Sequence, residues 1–212
     1  MAGSTRSARY WGRLADIYDD NELLAGATYP SIVARLKGEF APQDRLLDVG
    51  AGTGLLTARI APLVAHVTCT DIAPEMLERA RARLQAHGHV AYRVQDATAL
   101  DFAAGSFDVV LCCNVLHQMS RPGAAVREFH RVLRPGGKLL AITISMGEMS
   151  LWTKLRTAVE YVLRFGIPPA GSSFKLDTLR QLIAGAGFEI GEAVLVAEKP
   201  LPTAFVSAIK AQ

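Results

Sequence analysis

The sequence predicts an α/β fold: a doubly wound, mostly parallel sheet with one antiparallel strand near its edge. Three observations predict it. From Leu46 onward short apolar runs alternate with helical patterns, as in a parallel sheet covered by helices on both faces. A turn holding Gly50, Gly52 and Gly54 joins the first run to a helix. Near the C-terminus two extended runs are separated only by Glu198-Lys199-Pro200-Leu201-Pro202, too short for a parallel crossover.

The elements follow in order. Residues 1–8 are small and polar, without the apolar segment of a signal peptide. Residues 9–40 carry Tyr10, Leu14, Ile17, Tyr18, Ile32, Val33, Leu36 and Phe40 at helical spacing. Breaks at 19–21 and Tyr29-Pro30 divide them into two or three short helices. We expect residues 1–40 to form an N-terminal helical cap and residues 41–212 the main domain. Strands are predicted at 45–49, 66–70, 90–94, 107–113, 138–144, 188–197 and 203–209. Helices are predicted at 54–62, 74–87, 121–133 and 176–185, with Pro74 and Pro122 tolerated in first turns. Glu75 and Arg79 form an i,i+4 pair on the second of these. The sizeable insertion, 146–173, is expected to form a lid.

Composition excludes several classes. A chain of 212 residues suits one domain, or one with a small cap. Its 23 basic and 20 acidic residues leave +3, too weak and dispersed to call for nucleic acid. No apolar run reaches the roughly 18 residues of a membrane span. Of the cysteines Cys69, Cys112 and Cys113, the adjacent pair points to opposite faces of a strand and is expected to pack inside it. No disulfide framework is expected, and a reducing, cytoplasmic setting is. Without CxxC or HExxH, and without a clear acidic ligand set, we expect no metal.

The glycine turn carries the most information. Glycines there permit positive φ and a close approach of backbone to ligand. A dinucleotide site spaces them G-x-G-x-x-G to seat a pyrophosphate; here the third glycine comes one residue early. Asp48, two residues before the first glycine, would repel a pyrophosphate and attract a cationic ligand. Asp71 ends the second strand, where its carboxylate would accept from ribose hydroxyls. Asp96 follows the third strand, placed for an adenine amine. Three acids on successive strand ends lie along the edge where open α/β sheets bind ligands.

These segments resemble the class I S-adenosylmethionine-dependent methyltransferases, in their small single-domain form acting on small molecules. The resemblance spans about residues 10–211. It rests on LDVGAGTG at 47–54, TDIAPEML at 70–77, VQDATAL at 94–100, SFDVVLCCNVLHQM at 106–119 and RVLRPGGKLLAI at 131–142. It implies a seven-stranded, Rossmann-like methyltransferase fold and S-adenosyl-L-methionine as cofactor. It further implies backbone contacts from Gly50, Ala51 and Gly52 to the methionine part, ribose on Asp71, and adenine between Ile72 and Ala97. Met76 lies in the same segment, and the backbone carbonyl of Asn114 would hold the cofactor's amino group.

Methyl transfer needs alignment and exclusion of water, and a base only where the nucleophile holds its proton. His117, just past the fourth strand, is the candidate base, with pocket shaping as its alternative. Tyr18 is the candidate aromatic lid over a sulfonium. Tyr10, Trp11, Trp152 and Tyr161 are candidate substrate contacts and suggest a largely apolar or aromatic substrate. The stripe Leu151, Leu155, Val159 and Val162 is open to three readings: core, substrate lid, or contact with a membrane surface or partner. The motifs of DNA amino- and cytosine-methylating enzymes are missing after the fourth strand. The expected reaction is methylation of a small molecule at O, S, N or C. Alternatives are methylation of a lipid-like quinone precursor, a silent cofactor-binding subunit, and a nicotinamide-dependent dehydrogenase.

Overall fold

The structure, a computed structural model, describes residues 2–19, 28–169, 171–197 and 201–211. The predicted break at 19–21 lies largely outside these residues, as does the connection at 198–200. Strands are β1 (Arg45–Val49), β2 (His66–Asp71), β3 (Val90–Val94), β4 (Phe107–Cys113), β5 (Leu133–Ile144), β6 (Phe188–Ala197) and β7 (Thr203–Lys210). Helices are α1 (Ala2–Leu14), α2 (Thr28–Leu36), α3 (Thr57–Ile60), α4 (Pro74–Arg83), α5 (Pro122–Val132), α6 (Leu151–Phe165) and α7 (Leu176–Ala184).

All seven strands form one sheet in the order β3-β2-β1-β4-β5-β7-β6. Strand β7 runs antiparallel to both β5 and β6, and the other pairings are parallel. The sheet is therefore mostly parallel with a single reversed strand, inserted next to the edge. The chain winds outward from β1 to β3 and then crosses back to β4 beside β1. A crevice opens at such a reversal, beyond the carboxyl ends of the strands.

Strand alternation sorts side chains into two cores. Leu47, Val110, Cys112 and Leu139 meet Phe129 of α5 and Ile183 of α7 on one face. Leu46, Leu111 and Leu140 meet Ile32 and Leu36 of α2 and Ala80 of α4 on the other. Helix α2 thus packs on the sheet although it falls within residues 1–40. Helix α1 packs instead against α6, through Tyr10, Leu14 and Phe165, and against the start of α4, where Trp11 meets Met76.

Four boundaries differ from the sequence reading by more than one residue, the first being the helix predicted at 74–87, which ends at Arg83. Helix α1 begins at Ala2, so the small polar residues are helical. The helix predicted at 54–62 is only Thr57–Ile60, followed by a 3-10 turn at Ala61–Leu63, where Pro62 ends the regular hydrogen bonding. Strand β5 begins at Leu133 and includes the turn-like Arg134–Gly137. The expected Glu75–Arg79 pair is replaced: Arg79 bonds Asp16 beyond the end of α1.

Gly54 has φ +76°, and a methyl group there would lie 3.1 Å from Ala80 and Leu84. Its third place in the turn lets α4 approach closely. Gly54→Ala should cost about 1–3 kcal/mol through left-handed strain and overpacking. A urea midpoint unchanged from wild type would contradict this.

Candidate active site

At the crevice the carboxyl ends of β1, β2 and β4 surround a cavity of about 510 Å³. The turn after β1 is tied to β2: the N–H groups of Gly50 and Ala51 donate to the Thr70 carbonyl at 2.8 and 2.9 Å. Asp71 closes the connection. One carboxylate oxygen accepts from Gly52 N–H at 3.0 Å and the other from Ala73 N–H at 2.9 Å. Gly50 and Gly52 both have positive φ. A side chain at Gly50 would run into Val115. A Cβ at Gly52 would stand 3.7 Å from the Tyr18 ring, inside the cavity wall.

Many of the candidate residues meet here. Trp11, Tyr18, Gly50, Gly52, Asp71, Ile72, Met76, Asp96, Ala97 and Asn114 all line the cavity. Asp96 accepts from the Thr98 N–H at 2.9 Å and its hydroxyl at 2.7 Å, which fixes the loop after β3. Trp11 and Tyr18 stand edge to face, 6.2 Å between centroids. Asn114 has φ 57°, the one non-glycine residue with positive φ among the described residues. Its side-chain oxygen is buried with no hydrogen-bond partner. A buried acceptor without a donor is costly unless a ligand supplies one.

Six candidates lie elsewhere. Asp48 is buried behind the turn and accepts from the Thr57 hydroxyl at 2.6 Å. Strand alternation turns it away from the cavity that its neighbour Val49 lines. Ala51 contributes a turn N–H to β2 and does not line the cavity. His117 is also excluded. The 3-10 turn at Leu116–Gln118 buries Leu116 and His117 and brings Gln118 to the cavity. With the Gln118 amide donating to Nε2 at 2.7 Å, the ring donates from Nδ1 to the Thr143 hydroxyl at 2.7 Å. Burial lowers its pKa to about 4, so the ring is neutral and weakly basic.

Three of the substrate candidates are corrected in the same way. Tyr10 is buried between α1 and α6, its hydroxyl 3.2 Å from that of Tyr161. That contact holds the two helices together, and neither ring lines the cavity. Trp152 is 81% exposed on the outer side of α6. Cys113, read as core, lines the cavity, while its neighbour Cys112 is buried. The last residue of a strand at this edge faces the crevice.

The sequence reading missed Arg6, Gln95, Gln118, Met119, Arg121 and Pro169, which also line the cavity. Gln95, Gln118 and Met119 were within reach, since each sits within six residues of a strand's carboxyl end. Nothing in the pattern marks Arg6 or Pro169, which come together only when α1 meets the segment after α6.

Burial raises the pKa of both Asp48 and Asp71 to about 6; Asp71 adds to the rise at Asp48, and the Thr57 hydroxyl and backbone N–H groups partly offset it at the respective carboxyls. Two carboxylates behind and before one turn make it a site of negative potential.

The reversed β7 strand and the strand-end cavity define a Rossmann-like methyltransferase fold. Residues 47–141 match the model of the methyltransferase domain family. The ubiquinone biosynthesis O-methyltransferase of Xanthomonas oryzae pv. oryzae (strain PXO99A) is 45% identical over 140 residues, 64% of this chain and 56% of that protein. The chain thus spans little more than half the length of the curated relatives it matches. Among solved structures, YcgJ of Bacillus subtilis is 17% identical with a TM-score of 0.71, covering 88% of this chain and 99% of that one. The trans-methyltransferase CalH, solved in complex with SAH, is 27% identical with a TM-score of 0.67, covering 83% and 54%. Residues 47–141 thus resemble a methyltransferase domain, and the fold around them is that of the solved methyltransferases.

The raised pKa of Asp48 has a signed consequence. Its folded value lies above the unfolded one, so the native state loses stability as pH rises from about 4 to about 6. Relative to Asp48→Asn, wild type should lose up to about 3 kcal/mol between pH 4 and 7. Chemical denaturation of both proteins across that range checks it; a pH-independent difference would contradict it.

Proposed function

We propose that the chain transfers a methyl group from S-adenosylmethionine to a small, largely apolar or aromatic molecule. The observation that carries this reading is the cavity, with a glycine turn and Asp71 at one end and Trp11, Tyr18 and Met119 around it. The residues present fit the cofactor. Gly52 leaves open the space that a side chain would take, and Asn114 holds an unpaired buried acceptor.

In this reading the free lone pairs of Asp71 accept from the ribose hydroxyls, and Ile72, Ala97 and Met76 enclose the adenine. Asp96 orders the loop beside the adenine amine. Gly50, Gly52 and Asn114 hold the amino acid end. Asp48 and Ala51 act behind them, keeping the turn in shape. Bound there, the cofactor supplies an electrophilic methyl group on a sulfonium sulfur. Tyr18 and Trp11 shield that end from water and offer aromatic faces to its charge. Residues 1–40, through α1 and Tyr18, act as the cap, and 146–173 as the lid of a domain at 41–212. Gln118, Met119 and Arg121 face the remaining space, where the substrate sits.

The chain offers a weak base at best, because the neutral His117 ring lies outside the cavity with both nitrogens engaged. Acceptors that ionise readily or carry a free electron pair suit it. The relatives' name favours the oxygen of a quinone precursor as a second, narrower reading. The free thiols of Cys69, Cys112 and Cys113 suit a reducing cytoplasm. No metal or nucleic acid enters this reading.

Calorimetry with S-adenosylmethionine, its demethylated product and NAD is the first test, followed by mass spectrometry of phenols, thiols and amines for an added methylene. Both sulfur nucleosides should bind, NAD should not, and an apolar phenol or thiol should gain a methyl group. Binding without turnover on any class would leave a silent subunit; binding of NAD would favour a dehydrogenase.

Two substitutions follow. Asp71→Ala should weaken cofactor binding about tenfold or more by removing a charge-assisted acceptor. Unchanged binding by a folded variant would remove Asp71 from the site. His117→Ala should mainly raise KM by freeing Gln118, leaving the pH–rate profile unaltered. A drop in kcat of about 10²–10⁴ with loss of an inflection would make His117 the base.

A further inference from the structure

Helix α6 packs by its narrow side and turns its broad apolar side outward. At 100° per residue, Leu151, Val162, Leu155, Val159, Trp152 and Leu163 fall in that order within an arc of about 120°. All six are exposed, from 40% at Val162 to 85% at Leu151. Past the Leu151 edge of the arc come Phe165 and Tyr161, which pack on Tyr10 and Leu14 of α1. A surface helix of a globular protein ordinarily buries its apolar stripe, whereas α6 buries only this aromatic edge and leaves the rest of the stripe exposed. An exposed apolar surface of this extent marks a contact.

The charges beside the arc say what kind. Arg156 follows Leu163 around the helix, and Lys154 and Arg164 against Glu160 leave α6 with 3 − 1 = +2. Helix α1, pinned alongside, adds the exposed Arg6, Arg9 and Arg13 and no acid. Beyond α6 the chain continues through Ile167, itself 73% exposed. Ile167 shares a groove with those three arginines and one acid, Glu75, and Arg6 and Pro169 belong to both the groove and the main cavity. A second copy seated on this face would bring arginines against arginines. A surface of acyl chains beneath anionic phosphates complements both the apolar arc and the cations.

We propose that α6 and α1 dock the protein on an anionic phospholipid surface. The apolar arc enters the boundary between headgroups and acyl chains, and the α1 arginines pair with phosphates. The cavity mouth, edged by Arg6 and Pro169, then lies beside the lipid. This goes beyond the proposed reaction, and vesicle binding tests it without any turnover.

The test is co-sedimentation of the full chain with vesicles of phosphatidylcholine alone, or with about one-third phosphatidylglycerol. Binding to the anionic vesicles should exceed that to phosphatidylcholine by about tenfold or more and weaken with salt. Leu155→Glu/Leu163→Glu should reduce it by about tenfold or more, while S-adenosylmethionine binding, whatever its value, stays as in wild type. Arg9→Glu/Arg13→Glu should erase the preference for anionic lipid. Absence of sedimentation with anionic vesicles, or equal binding by the leucine variant, would overturn the proposal. So would a wild-type dimer in analytical ultracentrifugation that the leucine variant dissociates.

Discussion

The hydrogen bonds of the Asp71 carboxylate hold the site together. This group ends β2, reaches across to Gly52 N–H at 3.0 Å, and caps Ala73 N–H at 2.9 Å. It therefore fixes the turn after β1 and the entry to α4 at once. Gly50 and Ala51 N–H groups on the Thr70 carbonyl, and Arg83 on the Thr53 carbonyl, complete the support of a turn whose glycines carry no side chains. Behind it, Asp48 and Thr57 fix the start of α3. The arrangement costs something: burial strips both carboxylates of water and raises their pKa values, with Asp71 adding a smaller rise at Asp48. A cationic ligand in the cavity would relieve that cost.

The N-terminal segment is attached to the same frame. Asp16 pairs with Arg79, and Asp19 with Arg83 and the Thr53 hydroxyl. Arg83 also donates to the Thr53 carbonyl at 2.7 Å. Arg79 and Arg83 stand one turn apart on α4, so both ends of the Asp16–Asp19 turn meet one helix face. The pairs are partly exposed, and each contributes little stability alone. Their placement matters more than their energy. They hold Tyr18 over Gly52 and Trp11 against the cavity. A small buried cluster of Ala15, Ala73 and Met76, with Trp11 and Tyr18 against it, joins the segment to the start of α4.

The sheet was legible because its signals are local. Apolar runs of five to seven residues, broken by the glycine turn after β1 and by the proline-started α4 after β2, leave few alternatives for β1 to β4. Asp71, Asp96 and Asn114 were legible because a strand's carboxyl end can be read from the run that precedes it. Side-chain direction was harder. Asp48 and Val49 are adjacent, yet alternation sends only Val49 to the cavity. His117 and Gln118 are exchanged by a 3-10 turn whose phase no periodicity shows. Helix α6 misled most. Its stripe has the spacing of core, and only the packing of Tyr161 and Phe165 on α1 reveals that the stripe faces out.

The central claim is that the crevice between β1 and β4 binds the nucleoside of S-adenosylmethionine through Asp71. A crystal structure with S-adenosylhomocysteine tests it most directly. We predict the ribose hydroxyls within hydrogen-bond distance of the Asp71 carboxylate, the adenine between Ile72 and Ala97, and the amino acid end against Gly50 and Asn114. Ligand bound away from Asp71, or a crevice that stays empty at saturating ligand, would contradict the account.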